Sequence, residues 1–228
     1  MKEPIILLHG ALGSKKQLFP LEEILTDHFE VHALNFEGHG GESTYKAFSI
    51  ELFSENLLSF IEEHQLKSVI IFGHSMGGYV ALKAALKAPD KIKKIITLGT
   101  KFDWSLETAE KEVRQLDPSL IKEKVPHFAE KLRQEHHPAN WEEIMQKTAG
   151  LMLGLAKGAK LTDQELQSIQ TEVSIGIGSL DKMVSYEESA QVVGLLPNAK
   201  LAPLEGVKHP IEQVDPALLK SFILNTLQ

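Results

Sequence analysis

The stretch VIIFGHSMGGYVALKAAL places Gly73-x-Ser75-x-Gly77 between an apolar β-branched run and an Ala-rich amphipathic segment. The spacing has a steric cause. A serine on a sharp strand-to-helix turn holds a strained backbone, and neighbours without a Cβ let strand and helix approach closely enough to permit it. Such a turn presents the hydroxyl at a helix N-terminus, where backbone amides favour developing negative charge. Ser75 is therefore the candidate nucleophile.

A hydroxyl near neutral pH needs a base, and ten histidines compete for the role. His209 is selected because it follows the last apolar run in KLAPLEGVKHPIEQVDP, on a loop before the final helical pattern. His9 and His74 flank motif turns and are read as structural, and His39 belongs to the turn NFEGHGGES. His28, His32, His64 and His127 sit in helical or strand patterns without a partner motif. His136-His137 lacks a carboxylate at ligand spacing and reads as a solvated helix end, so no metal site is expected.

An imidazole base calls for a carboxylate that orients it and offsets its charge. Asp181, in SIGIGSLDKMV just past a strand, fits that need. Asp103, in LGTKFDW after an earlier strand, is the competitor, with helix capping as its simpler role. The loop His9-Gly10-Ala11-Leu12-Gly13-Ser14 follows the first strand. Its glycines allow the Ala11 amide to turn toward the serine, so that Ala11 and Met76 amides would form an oxyanion hole. Losing one such donor typically costs roughly a hundredfold or more in turnover.

These residues need a frame. Short β-branched runs at 4–8, 30–35, 68–72, 92–98, 173–177 and 200–204 alternate with helical periodicity at 18–27, 48–66, 76–87, 185–195 and 216–227. That alternation predicts a mainly parallel six-stranded sheet with helices on both faces. Residues 101–171 break the rhythm with about four helical patterns and no convincing strand, which predicts a helical lid inserted into a core of residues 1–100 and 172–228. Asp117 before Pro118, Asn140 with Glu143, Thr162 with Glu165 and Ser185 with Glu188 mark helix starts. Leu106, Ala109, Val113 and Leu116 share one lid face, as do Ile121, Val125, Phe128 and Leu132. Phe102, Trp104, Met152 and Leu153 are the apolar lid residues that could line a substrate pocket.

Composition narrows the function class. The 228 residues are 43% hydrophobic and 24% charged, the proportions of a folded chain rather than a disordered one. A formal net charge of -7 gives no basic footprint for nucleic acid. With no cysteine, a disulfide framework and a thiol nucleophile are excluded. The apolar run of MKEPIILLHG is too short for a signal peptide, and no stretch is long enough to span a membrane, so a soluble cytoplasmic protein is expected. No feature specifies an oligomeric state.

HGALGS, NFEGHGGES, GHSMGG, GSLD and GVKHP, in that order, resemble the α/β-hydrolase superfamily over nearly the whole chain. The resemblance implies a compact α/β-hydrolase fold, a Ser75, Asp181, His209 triad, an oxyanion hole at Ala11 and Met76, and no cofactor. GHSMGG looks like the esterase, C-C hydrolase and non-metal haloperoxidase branches. Serine at 75 stands where dehalogenases and epoxide hydrolases carry aspartate. Three departures are visible: the two antiparallel strands that usually open the sheet are not expected, Asn35 stands where aspartate is frequent, and Lys208 precedes His209 where glycine is frequent. The implied function is hydrolysis of a small carboxylic ester or related acyl bond. C-C hydrolysis or perhydrolysis with the same residues, and a ligand-binding signalling module that retains the triad, are the alternatives.

Overall fold

The computed structural model describes residues 2–227. Its six strands are β1 (Glu3–Leu8), β2 (Phe29–Leu34), β3 (Val69–His74), β4 (Ile92–Leu98), β5 (Glu172–Gly178) and β6 (Ala199–Leu204). They form one sheet in the order β2-β1-β3-β4-β5-β6, and every pairing among them is parallel. β3 runs two residues past the expected Phe72, because Gly73 and His74 continue the ladder opposite Thr97 and Leu98.

The strands are apolar on both sides because both sides are covered. Ile6, Leu8 and Ile71 point into one cluster, with Phe53 of α2 (Ile50–Glu63), Val80 of α3 (Met76–Lys87) and Val192 of α9 (Tyr186–Leu195). Their neighbours Ile5, Leu7 and Phe72 point into another, with Leu21 of α1 (Phe19–Leu25) and Phe222 of α10 (Pro216–Thr226). Period-two alternation is thus hidden in the sequence, since successive side chains enter different but equally apolar layers.

Between β4 and β5 lie α4 (Leu106–Val113), α5 (Pro118–Lys124), α6 (Pro126–His136), α7 (Trp141–Gly154) and α8 (Asp163–Ser168), one helix more than the periodicity suggested. Pro126 is the cause, because proline starts a helix readily but cannot continue one. Asp117 caps α5 by accepting from the Ser119 and Leu120 amides, and Thr162 and Glu165 form a reciprocal capping box on α8. Asn140 caps α7 through the Glu142 amide, whereas Glu143 closes no box and pairs with Lys147 one turn on. Two of the predicted shared faces are only partly buried: Leu106 and Val125 are exposed, while Ala109 and Leu132 are buried. This helical segment joins the main core through Trp104, Ile144 and Leu151, and holds its own small cluster around Trp141 and Met145.

Strand β1 has β2 on one side and β3 on the other, so the chain changes direction across the sheet there. Connections leaving the carboxyl ends of β1 and β3 diverge at such a point and open a crevice between them. His9–Ser14 and Ser75 occupy those two ends. Among the described residues no helix is long and apolar enough to cross a membrane.

Candidate active site

Ser75 ends β3 and caps α3 with φ 50° and ψ -117°, a conformation that costs of order 1–3 kcal/mol for a residue with a side chain. The turn is over-determined. The Ser75 amide donates to the Leu98 carbonyl at 2.8 Å, and the Ser75 carbonyl accepts from Thr100 Oγ1 at 3.0 Å and from the Gly78 amide at 3.1 Å. A Cβ on Gly73 would collide with the Gly78 amide nitrogen, and one on Gly77 would stand 2.6 Å from the Leu8 carbonyl oxygen. Glycine at both flanks is what lets α3 fold back against β1 and β3.

His209 and Asp181 come from the loops after β6 and β5 and meet Ser75 above the same sheet edge. His209 Nε2 lies 3.2 Å from Ser75 Oγ, and His209 Nδ1 lies 2.8 Å from Asp181 Oδ2. A carboxylate only accepts, so Nδ1 carries the proton and Nε2 offers its lone pair to the hydroxyl. Asp181 is almost fully buried, and its other oxygen accepts from the amides of Met183 at 2.8 Å and Val184 at 3.0 Å. Burial pushes this carboxyl up. The hydrogen bond and charge of His209, with the two amides, outweigh it and leave the group below the ordinary aspartate range. Asp103 lies elsewhere: its oxygens accept from the Ser105 amide and Thr108 Oγ1 at the start of α4.

Ala11 and Met76 both line the cavity above Ser75. Met76 is the first residue of α3, so its amide has no acceptor within the helix. The loop carrying Ala11 is held from below and above. His9 Nε2 accepts from the Phe36 amide at 3.2 Å, and its buried ring, desolvated among other histidines, is driven down to a pKa of about 4. Leu12 has φ 59°, and its carbonyl accepts from His136 Nε2 at 3.1 Å.

That last contact corrects the reading of His136 as a solvated helix end. The residue is fully buried, with Nδ1 accepting from the Gly40 amide at 3.1 Å. His74 likewise proves part of the site's frame, with Nε2 donating to the His209 carbonyl at 2.8 Å. His136 carried no motif of its own, whereas His74 stands inside GHSMGG and reads as structural from the sequence; the partners of both lie more than ninety residues away. Among the described residues no three metal-ligating side chains converge.

Ser75 and His209 open into a cavity of about 530 Å³ whose wall is mostly apolar. Trp104 and Met152 line it, as do Tyr79, Leu116 and Leu151. Phe102 and Leu153 do not. They are half-buried against the main core instead, Phe102 beside the Tyr79 ring. Trp104 and Met152 belong to the main core and border the cavity at once, whereas Phe102 and Leu153 pack against that core without reaching the cavity.

The sequence profile of the alpha/beta hydrolase fold family matches residues 3–157. A stretch of 100 residues is 32% identical to ethanol acetyltransferase 1 of Hanseniaspora uvarum, covering 43% of this chain and 30% of that protein. The chain spans under a third of the length of the acetyltransferases it matches. A thermophilic esterase from Thermogutta terrifontis superposes with a TM-score of 0.79 at 21% identity, over 100% of this chain and 90% of that one. The enol-lactonase from Burkholderia xenovorans gives 0.77 at 18% identity, over 100% and 92%.

Proposed function

Because the chain belongs to the α/β-hydrolase fold family, we propose that it cleaves a small carboxylic ester or related acyl bond through an acyl-enzyme on Ser75. The observation that carries this reading is the continuous hydrogen-bonded path from Ser75 Oγ through both nitrogens of His209 to Asp181. His209 takes the Ser75 proton as Oγ attacks the acyl carbon, and the amides of Ala11 and Met76 hold the resulting oxyanion. His209 then gives that proton to the leaving alcohol. A water enters, loses a proton to His209 and attacks the acyl-enzyme, and the proton returns to Ser75 as the acid departs. Asp181 stays ionised and offsets the imidazolium charge. Residues 101–171 act as a lid whose Trp104 and Met152 face the substrate.

A second reading follows from the 32% identity to an ethanol acetyltransferase. The acyl-enzyme can be resolved by an alcohol in place of water, with the same proton path, and the apolar cavity wall favours such an acceptor. Labelling by a fluorophosphonate tests the shared step: wild type should be modified on Ser75 and Ser75→Ala should not. Unchanged turnover of acyl esters by Ser75→Ala would end both readings. Product analysis with and without ethanol separates them.

A further inference from the structure

Within the apolar cavity one pair of charged side chains is not used by the proposed acyl-transfer machinery. Lys101 follows β4 and Glu112 lies on α4; both line the same cavity as Ser75, with side chains only 12% and 9% exposed. They face each other at 3.9 Å, beyond hydrogen-bond distance. Lys101 Nζ is held from one side, donating to the Met183 carbonyl at 2.8 Å. Among the described residues Glu112 receives no side-chain hydrogen bond, its recorded partner being this lysine. The other lysine and carboxylates of the wall have hydrogen-bond partners: Lys131 donates to Glu212, and Glu135 accepts from the Ser14 hydroxyl.

Both groups border the cavity, so an apolar chain bound there would cover the Glu112 carboxylate and leave it without a donor, a costly state unless the bound molecule supplies one. The group that would complete this pair must donate to Glu112 and accept from Lys101 at once. It must also be uncharged, because an anion would meet Glu112 and a cation Lys101 within a few ångströms in a poorly screened space. A hydroxyl satisfies all three demands, and its oxygen can bridge the pair from the cavity side, within hydrogen-bond distance of both atoms. The geometry points to Lys101 and Glu112 as a polar subsite that selects substrates whose apolar chain carries a hydroxyl group. This rests on the acyl-transfer reading of Ser75 and adds the substrate class to it. Trp104 supports the arrangement, because its indole donates to the Lys101 carbonyl at 3.1 Å and fixes the backbone beneath the lysine.

The test uses p-nitrophenyl esters of hexanoic and octanoic acids, unsubstituted or with one hydroxyl moved along the chain. A parallel series uses butanoate esters of alkanols and the matching diols, which tells whether the selected chain is the acyl or the alcohol portion. One hydroxyl position should raise kcat/KM over the unsubstituted ester by about tenfold or more, the discrimination expected when a site built for a hydroxyl meets an analogue lacking it. Glu112→Leu and Lys101→Met should bring that ratio to about one, and Glu112→Gln, which keeps shape and an acceptor, should retain part of it. If the pair only braces α4 against the sheet edge, the variants will slow both kinds of ester equally and the ratio will stay. That outcome, or the absence of a hydroxyl preference in both wild-type series, overturns the proposal. Binding of the same esters to Ser75→Ala, measured by calorimetry, reads the subsite without turnover. A hydroxyl preference there, together with a wild type that fluorophosphonate does not label, would sink the nucleophile and leave the subsite standing. Labelling of Ser75 without any preference would do the reverse.

Discussion

His74 Nε2 donates to the backbone carbonyl of His209 at 2.8 Å, so the residue before Ser75 holds the loop that carries His209. The two ring centroids are 5.3 Å apart. Ser75 and His209 are thus registered through a contact separate from the one between Ser75 Oγ and His209 Nε2.

His74→Ala should therefore lower kcat by about ten- to a hundredfold, since small misplacements of catalytic groups have effects of that size. It also strands the His209 carbonyl, a loss of about 1–3 kcal/mol in stability. His74→Gln keeps a neutral donor at a similar reach and should recover much of both. Steady-state kinetics and urea midpoints on the two variants check this, and equal kcat in wild type and His74→Ala would remove the positioning role.

Stability should fall as pH drops from about 6.5 to about 4. Burial holds the His9 and His74 rings neutral, each with its pKa driven down to about 4. Unfolded imidazoles take up protons near the ordinary value of about 6.5, so across that window the unfolded chain binds more protons than the folded one. Each histidine then removes about 1.4 kcal/mol per pH unit, or about 3 kcal/mol in all. Asp181 acts lower: its carboxyl is held below the ordinary range, so its contribution is present above that range and lost only in stronger acid. Urea midpoints at several pH values should show the slope, and His74→Gln should make it shallower while leaving the part due to His9, His39 and His136, which burial also holds below the ordinary histidine range. A flat profile between pH 6.5 and 4.5 would contradict the neutral buried rings.

Asp181→Asn preserves shape and still accepts from the Met183 and Val184 amides through Oδ1, yet it cannot offset an imidazolium and permits the wrong His209 tautomer. A loss of about four orders of magnitude in kcat is expected, the size found when the corresponding residue of serine proteases is changed in this way. Fluorophosphonate labelling should slow in parallel. Asp103→Asn should leave the rate within about twofold, because that carboxylate serves the start of α4.

Two glycine-to-alanine changes should have opposite signs. Gly77→Ala drives a methyl to 2.6 Å from the Leu8 carbonyl oxygen, where backbone must shift, and should cost about 1–3 kcal/mol. Gly150→Ala, inside α7 with nothing within 4 Å of the added carbon, should stabilise by about 0.5–1 kcal/mol. Thermal midpoints read both, and a destabilised Gly150→Ala would show that α7 needs its glycine for something other than fit.

Much of this molecule is written locally. The run IILL, ahead of a turn and alternating with helical segments, reads as a strand buried on two faces. Gly73-x-Ser75-x-Gly77 between such a strand and an amphipathic helix reads as a tight turn, so strands, elbow and chain order of Ser75, Asp181 and His209 follow from near neighbours in the chain. The pairings that complete the site are of another kind. His136 with the Leu12 carbonyl, His74 with the His209 carbonyl and Lys101 with Glu112 join residues whose types alone name no partner. The same holds for Trp104 and Met152 reaching the cavity while Phe102 and Leu153 do not. Periodicity assigns a side chain to one face of its own element. Which neighbour covers that face is set by the packing of separate helices over the sheet edge, and that only the tertiary structure decided.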